Sequence, residues 1–428
     1  MHRLILKNVG PIQDCQIDIT QFNVFTGAQA SGKSTIAKSI FFFRTIKDDI
    51  CDCIIKRSTL SSASTLHKTV LKQLRNKFLQ LFGTSRAMSN DLLMLYHYDE
   101  NTYVKITLTL NEGADYISPN YVYFEFSQNI RAFLSKYNNI DPIEHVDLKG
   151  ETSEKLNMLF CDEYETIFIP AGRSLITLLT NQLNYIFTSM DDDQKRSLDF
   201  CTQKYVERIL KIRPLFNNGI SGFLDSKHLP DSKTCVALSR KSIRLVNEIL
   251  KGRYIFTNGE ERLVLKNDRY VKINYTSSGQ QETVWIFNIL LYQLISDTKT
   301  FIILEEPEAH LYPDAQKKIT ELLSLFLSNG NSLLITTHSP YILGTINNLI
   351  YAKEISKNGN KEKVARIIDE NKQVNECLTY FVENGSTKMC IGDDALIQNE
   401  VIDGASEAIN DDFNALFSLS LEEDSDAI

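Results

Sequence analysis

Residues 27–34 read GAQASGKS and match the pattern G-x-x-x-x-G-K-[ST] at every fixed position. A strand-like segment, FNVFTG, precedes this loop, and a helical segment, STIAKSIFFF, follows it. In that context the loop N–H groups surround phosphates, Lys33 neutralises the outer two groups and Ser34 supplies a hydroxyl to Mg²⁺. A glycine-rich turn with a coincidental lysine is the disfavoured alternative, because both flanking elements are present. The predicted phosphate-binding residues are Gly27, Ala28, Gln29, Ala30, Ser31, Gly32, Lys33, Ser34 and Thr35.

A second group of candidate residues ends the apolar segment in FIILEEPEAHL, residues 301–311. Four apolar residues predict a buried parallel strand that carries two adjacent carboxylates to the edge of a sheet. We expect Glu305 to hold Mg²⁺ together with Ser34, and Glu306 to polarise an attacking water. A solvated acidic pair is the alternative, and the phosphate loop disfavours it. At the first of these two carboxylate positions, where this chain has Glu305, aspartate is commoner than glutamate.

A histidine ends a further predicted buried strand in LLITTHSPYIL, residues 333–343. At the end of a core strand, His338 could hydrogen-bond the terminal phosphate and report its presence. A lone histidine is usually structural. Its place after the two preceding motifs favours the functional interpretation.

The segment Thr276–Gln280 reads TSSGQ and opens a predicted helix, QETVWIFNILLYQLI. The hydroxyl, the N–H groups and the helix dipole would form an anion site. An ordinary helix cap of the Ser-x-x-Gln type explains the same residues. Because the chain already has one phosphate loop, a second anion site suggests a phosphate from another subunit. The residues concerned are Ser277, Ser278, Gly279 and Gln280.

The remaining elements divide the chain into four predicted regions. Residues 1–175 hold the phosphate loop with an inserted helix and antiparallel strands, and residues 176–270 are mainly helical, looser over 214–235, with a hairpin at Asn258-Gly259. Residues 271–352 complete the core. Residues 353–428 form a strand and helix extension with an acidic tail, and LIYAKEI (349–355) reads as a strand.

Bulk composition is that of an ordinary cytoplasmic protein. The net charge of -8 argues against a surface that is basic everywhere, and no apolar run of eighteen residues predicts a membrane span. The N-terminal residues do not read as a signal peptide. The eight cysteines lack framework spacing and indicate reduced thiols.

In this order, the motifs resemble the head of ABC-type ATPases: Walker A at 27–34, a signature TSSGQ in place of LSGGQ, Walker B at 301–306 and a switch histidine, His338. EEPEAHLYP and TTHSP are similar to the SMC-like and OLD-like members. FIPAGRS resembles ATPase subunits of bacterial anti-phage systems such as Septu, PARIS and certain retrons. The implied fold is an α/β P-loop NTPase head with a mixed-sheet core, an antiparallel β subdomain and a helical insertion.

The resemblance implies a homodimer, or a higher even oligomer, in which two chains enclose two ATP molecules. Each site would combine the Walker motifs of one chain with the signature of the other, and Glu308–His310 would be a loop at the dimer interface. Three departures stand out. The glutamine of the family's Q-loop is not placed, Arg173 lies near the nucleotide or braces a turn, and Ser278 replaces the usual glycine.

Two functional hypotheses follow from the resemblance. The first is an ATP-dependent sensor or scaffold in anti-phage defence that regulates a separate effector, such as an HNH or TOPRIM nuclease. Residues 351–428 are too few for a nuclease domain, so none is predicted in this chain. The second is a short-armed SMC-like repair or recombination ATPase that contacts DNA directly. A transporter subunit is disfavoured. The best basic cluster is Arg240, Lys241, Arg244, Lys251 and Arg253.

Overall fold

The structure is a computed structural model. It describes residues 1–59, 65–83, 90–109, 121–139, 148–177, 199–226, 233–265, 267, 269–296, 298–392, 394–398, 410–411 and 414. Among these residues no helix is both long and apolar enough to cross a bilayer.

Fourteen strands are found in the described part of the chain. They are β1 (His2–Val9), β2 (Ile12–Ile19), β3 (Phe22–Thr26), β4 (Leu93–His97), β5 (Tyr103–Leu108), β6 (Val122–Phe126), β7 (Glu165–Ile169), β8 (Arg253–Thr257), β9 (Glu260–Val264), β10 (Tyr270–Lys272), β11 (Thr300–Glu305), β12 (Ser332–Thr336), β13 (Leu378–Glu383) and β14 (Ser386–Met389).

Twelve α-helices, numbered in chain order, lie between these strands in the same described residues. They are α1 (Lys33–Arg44), α2 (Ile46–Thr59), α3 (Leu66–Phe82), α4 (Gln128–Lys136), α5 (Leu148–Leu159), α6 (Phe200–Ile212), α7 (Gly219–Ser226), α8 (Lys233–Leu250), α9 (Ser278–Ile295), α10 (Pro313–Ser328), α11 (Pro340–Ile355) and α12 (Lys361–Ala365).

One large mixed sheet organises the molecule. Its strand order is β6-β5-β4-β1-β2-β14-β13-β3-β12-β11-β7, and β8, β9 and β10 form a separate small sheet. From β13 to β7 neighbouring strands are parallel, whereas β2, β1, β4, β5 and β6 pair antiparallel. This arrangement confirms the predicted fold class, a mixed sheet with an antiparallel β region.

The parallel half of the sheet is buried on both faces. Every residue of β3, β11 and β12 is buried. Along β11 the side chains alternate between two hydrophobic cores, with Ile302 and Leu304 in one and Phe301 and Ile303 in the other. Because successive residues of a strand point to opposite faces, the sheet is the middle layer between two helical layers.

Several local predictions are confirmed. The strands around the phosphate loop, helix α1 and the antiparallel pair β5–β6 occur where the sequence indicated. The turn between β8 and β9 has positive φ at Asn258 (52°) and Gly259 (75°), as a two-residue hairpin turn of this type requires.

The prediction of a strand at LIYAKEI is wrong, because these residues form the last two turns of α11. Ser339 caps that helix through its hydroxyl, and Pro340 occupies its first turn. The apolar residues Ile342, Ile346 and Leu349 are buried against the core at helical spacing, and this packing outweighs the strand preference of the β-branched side chains. The region 214–235 is also more helical than predicted, since it contains α7.

A buried polar cluster beneath β1 gives the first testable prediction. The His2 ring contacts the Tyr96 hydroxyl (2.9 Å) and the Cys161 carbonyl (3.2 Å). Nη1 of Arg44 lies 3.3 Å from Nδ1 of His2. Burial, followed by the Arg44 charge, lowers the pKa of His2 from 6.5 to about 4. Between these values the unfolded chain binds the proton more readily, so stability is lost as pH falls from about 6.5 towards 4.

We therefore expect acidification from pH 7 to pH 5 to remove about 2 kcal/mol of unfolding free energy through His2 alone. Urea unfolding at both pH values measures this contribution as the difference between the unaltered protein and the variant His2→Gln. A His97→Gln control should keep the full pH dependence. An identical pH dependence in His2→Gln would contradict the assignment.

Candidate functional site

The candidate residues meet at the carboxyl edge of the parallel strands. β7, β11, β12 and β3 are consecutive in the sheet, with Glu305 paired to Thr336 and Thr336 paired to Phe25. Since parallel strands end at one edge, this order places the phosphate loop, Glu305–Glu306 and Thr337–His338 side by side. The loop that follows β7 joins them at the same edge.

The loop between β3 and α1 has the conformation of a phosphate cradle. Gly27 and Gly32 have φ values of 136° and 109°, which side chains with a Cβ rarely adopt. A Cβ on Gly27 would come within 2.2 Å of the Val382 carbonyl on β13. The Lys33 ammonium donates to the Gly27 (2.9 Å) and Ala28 (2.7 Å) carbonyls, so its charge lies over the loop.

The residues predicted to hold Mg²⁺ fit an oxygen-ligand cation. Glu305 is buried, and its carboxylate accepts from the Ala171 amide (3.2 Å). Among the described residues, its other oxygen, Oε1, has no hydrogen-bond partner. Burial raises the pKa of Glu305, and the nearby Lys38 charge offsets part of this effect. Mg²⁺ bound here would neutralise and orient phosphate oxygens, with Ser34 and Glu305 as protein ligands.

Glu306 differs from its neighbour in exposure and backbone geometry. Its side chain is 42% exposed, and its Oε1 lies 3.6 Å from Nε2 of His338. The backbone turns sharply here, because Glu306 has a φ of 44° while its amide still donates to the Thr336 carbonyl (2.9 Å). The turn points one carboxylate inward and the next outward, so that Glu305 and Glu306 can perform separate tasks.

Glu308 holds the switch segment of its own chain. Its Oε1 accepts from the Thr337 hydroxyl (2.8 Å) and from the His338 amide (2.7 Å). Glu308 belongs to a turn that closes with the Ala309 N–H donating to the Glu306 carbonyl (3.2 Å). The family resemblance implied only a position at the dimer interface for Glu308. The sequence feature that could have indicated this contact is a third carboxylate, Glu308, two residues after Glu306.

Arg173 is the main functional candidate whose role the sequence left open. It is fully buried, and its guanidinium donates to the carbonyls of Pro170 (2.6 Å), Glu305 (2.7 Å) and Glu306 (2.9 Å). The structure therefore favours the bracing alternative: Arg173 holds the backbone that carries both carboxylates.

The same arginine links this backbone to helix α9. Nε of Arg173 donates to the Glu282 carbonyl (3.1 Å) and lies 3.3 Å from the Glu282 carboxylate. That carboxylate also accepts from the Arg173 and Ser174 amides, at 3.0 and 2.8 Å. Both side chains are buried, which makes this a hydrogen-bonded internal ion pair. A rigid connection thus runs from Glu305–Glu306 to the first turns of α9.

The segment Ser277–Gln280 caps helix α9. The Ser277 hydroxyl and the Gln280 side chain form a reciprocal capping box, the alternative that the sequence left open. Gln280 also donates to the Leu250 carbonyl (2.7 Å). Ser278 lies within the helix at negative φ, so the usual glycine is not required there.

At position 279, in contrast to position 278, a glycine is required because of close packing. A Cβ at this position would come within 2.6 Å of the His310 carbonyl, so the segment packs against the loop after Glu308. The segment Ser277–Gln280 contacts Leu250 and His310, and among the described residues no hydrogen bond joins it to residues 27–35. The capped helix end leaves the Ser278 and Gly279 amides for an external anion.

Strand β7 neighbours β11, and the loop that follows β7 contacts Glu305. It contributes the Ala171 amide and contains no glutamine between Pro170 and Arg173. No Q-loop glutamine is thus assigned at this edge.

Together, the mixed sheet and the residues at its carboxyl edge define a P-loop ATPase head of the ABC type. The chain belongs to the AAA_15 family, the AAA ATPase domain, whose model matches residues 1–343. A comparison with curated proteins gives no match.

Solved structures similar to the chain include heads of SMC proteins. One is an SMC head bound to the C-terminal winged-helix domain of ScpA (TM-score 0.40, 12% identity, covering 90% of this chain and 95% of that one). Another, from Pyrococcus furiosus, has an extended coiled coil and a bound ScpA C-terminal domain (0.39, 11%, 91% and 96%). A third is the SMC head from Thermotoga maritima (0.36, 12%, 90% and 97%).

Proposed function

We propose that this ATPase dimerises around ATP and regulates a separate effector protein, such as an HNH or TOPRIM nuclease, in bacterial anti-phage defence. The observation that carries the dimer is the capped end of α9. It offers free N–H groups at Ser278 and Gly279, yet it contacts Leu250 and His310 instead of the phosphate loop of its own chain. A phosphate from a second subunit completes this site.

In this mechanism each residue at the sheet edge has one task. The loop from Gly27 to Thr35 binds the phosphates, with Lys33 neutralising the outer two. Ser34 and Glu305 would hold Mg²⁺, which would neutralise phosphate charge. Glu306 accepts a proton from the attacking water. His338, whose amide Glu308 holds, contacts the terminal phosphate. Binding of ATP closes the dimer, and hydrolysis releases it.

Mixing two inactive variants tests the shared site. Lys33→Ala disables the phosphate loop, and Ser278→Arg blocks the α9 end. In a dimer of one variant with the other, one composite site keeps both intact halves. Since half of the dimers are mixed and half of their sites are intact, we expect an equimolar mixture to recover about a quarter of the unaltered ATPase rate.

The control for this experiment is each variant alone at the same total concentration, which should stay inactive. A mixture no more active than its components, under conditions in which subunits exchange, would refute the shared site. Light scattering of Glu306→Gln with and without ATP gives an independent measure, and we expect an ATP-dependent doubling of mass.

The defence role rests on the similarity of FIPAGRS to ATPase subunits of such systems. A neighbouring gene for an HNH, TOPRIM or reverse-transcriptase protein that copurifies with the ATPase would support it. Metal-dependent DNA degradation by the purified chain, persisting in Glu306→Gln, would refute a separate nuclease.

The alternative function is a short-armed SMC-like repair ATPase that binds DNA directly. Its support is the predicted basic cluster, of which Arg240, Arg244, Lys251 and Arg253 are exposed. Salt-sensitive binding of duplex DNA by the full chain would favour this alternative.

A further inference from the structure

A large groove lies beside the α9 end, between α8, α10 and the β8–β9 hairpin. Its volume is about 1110 Å³. Gln280 donates to the Leu250 carbonyl, and the next residue, Lys251, lines the groove. We call it the basic groove after the cations that line it, which are Arg240, Arg244, Lys251, Arg253, Arg269 and Lys318; Glu248 is the one carboxylate among the lining residues that the structure describes.

Most of this positive charge has no ion-pair partner among the residues that the structure describes. Glu248 pairs with Arg244 (3.2 Å) and lies 3.8 Å from Lys318, which also contacts Asp314 at 3.1 Å. Among the described residues, no carboxylate forms an ion pair with the other lining cations, Arg240, Lys251, Arg253 and Arg269. Lys241, on the same helix, is paired with Asp369 and does not line the groove.

The floor of the basic groove is apolar. Ile243 on α8 and Val264 and Leu265 on the hairpin side are half-buried and line it. A groove with an apolar floor and a cationic rim complements an amphipathic acidic segment better than a sugar-phosphate backbone, whose contacts are mainly charged and polar.

The chain itself contains such a segment. Residues 1–388 hold all 46 Lys and Arg and 43 of the 54 Asp and Glu, a net charge of +3, so the last 40 residues carry -11. Within the acidic segment (residues 399–428), helical spacing places Ile409, Phe413 and Leu416 on one face. Asn410, Asp411 and Asn414, which the structure describes, are helical and exposed.

We propose that the acidic segment occupies the basic groove of its own chain and excludes other polyanions from it. The apolar face would lie on Ile243, Val264 and Leu265, and the carboxylates would meet the unpaired arginines. Tethering favours this occupant over a free partner, because a linked segment has an effective concentration in the millimolar range.

The attachment point is close enough for this contact. Ile397 is anchored to α11 by two hydrogen bonds with Asn347, at 2.8 and 2.9 Å. Helix α11 packs on α10, whose Lys318 lines the groove. Packed helices are separated by about 8–10 Å, and the fifteen residues from Gln398 to Phe413 can span roughly 50 Å.

Zero-length cross-linking of the full-length protein tests the proposal. A carbodiimide joins carboxylates to nearby lysines, and mass spectrometry locates the products. We expect links from Glu422, Glu423, Asp424 or Asp426 to Lys251 or Lys318. Their yield should not depend on protein concentration, and high ionic strength should reduce it.

Matched variants separate the groove from general charge effects. The double variant Arg240→Glu, Arg244→Glu should lower the yield of Lys251 links about tenfold, since each reversed charge converts an attraction into a repulsion. The control Lys363→Glu, Arg366→Glu changes the same total charge on and next to α12 and should leave the yield unchanged. Phe413→Ser, Leu416→Ser should lower it as well.

Three results would overturn the proposal. One is an even distribution of links over Lys251, Lys318 and Lys363, the last of which does not line the groove. Another is links mainly between chains in a mixture of ¹⁵N-labelled and unlabelled protein, which would assign the groove to a second copy. The third is duplex DNA binding that groove variants abolish but neutralised tail carboxylates leave unchanged, which would assign it to nucleic acid.

Discussion

Replacing Glu306 with glutamine should lower kcat for ATP hydrolysis by about 10²–10⁴-fold and leave ATP binding intact. The amide is isosteric with the carboxylate but accepts no proton from water. In the proposed mechanism other residues bind the phosphates: the Lys33 ammonium lies over the Gly27 and Ala28 carbonyls, whereas Oε1 of Glu306 lies 3.6 Å from Nε2 of His338. Binding and hydrolysis should therefore separate.

Two measurements check this prediction: phosphate release under saturating ATP, and the affinity for a fluorescent ATP analogue. Lys33→Ala is the contrasting variant, because it should lose binding as well as turnover. Glu354→Gln, an exposed carboxylate on α11, is the matched control and should retain the full rate. A kcat within a few-fold of the unaltered value would exclude Glu306 as the general base.

Replacing Arg173 with alanine should cost about 3–5 kcal/mol of unfolding free energy. The change leaves the Glu282 carboxylate buried with no cation, and it removes the donors that hold the carbonyls of Pro170, Glu305 and Glu306. Urea unfolding measures the loss. Turnover should fall too, because the backbone that carries both carboxylates loses its brace.

A paired replacement separates stability from positioning. Arg173→Met with Glu282→Gln removes both charges and keeps an oxygen that can accept from the Arg173-position and Ser174 amides. We expect it to recover at least about half of the lost stability, because uncharged groups need no partner in the interior. The ATPase rate should remain low. Full recovery of both properties would show that Arg173 is only a structural ion-pair partner.

Much of the edge of the sheet could be predicted from local sequence. The phosphate loop requires glycines at positive φ, as found at Gly27 and Gly32, and an apolar run such as that of β11 has few alternatives to a buried strand. The strands that carry three of the motifs are neighbours in the sheet, although β12, which carries the last of them in sequence, lies between β3 and β11. The roles of the individual residues at this edge remain predictions for the experiments above.

Other features could not be predicted because they depend on contacts distant in sequence. Arg173 receives its role from Glu282, Glu305 and Glu306, more than a hundred residues away. β13 lies between β14 and β3, in the middle of the sheet, although local sequence indicated only an extension. LIYAKEI has strand-like composition, and only its packing against the core makes it helical.

The sequence by itself determined the chemical groups of this protein: a phosphate loop, two adjacent carboxylates, a histidine after a core strand and a capped helix end. Local geometry requires each of these residues at short spacing, so short patterns identify them. Only the tertiary structure decided how they are held. The buried Arg173–Glu282 pair, the Glu308 contact with His338 and the basic groove arise where separate segments meet, and long-range packing creates such meetings without a local pattern.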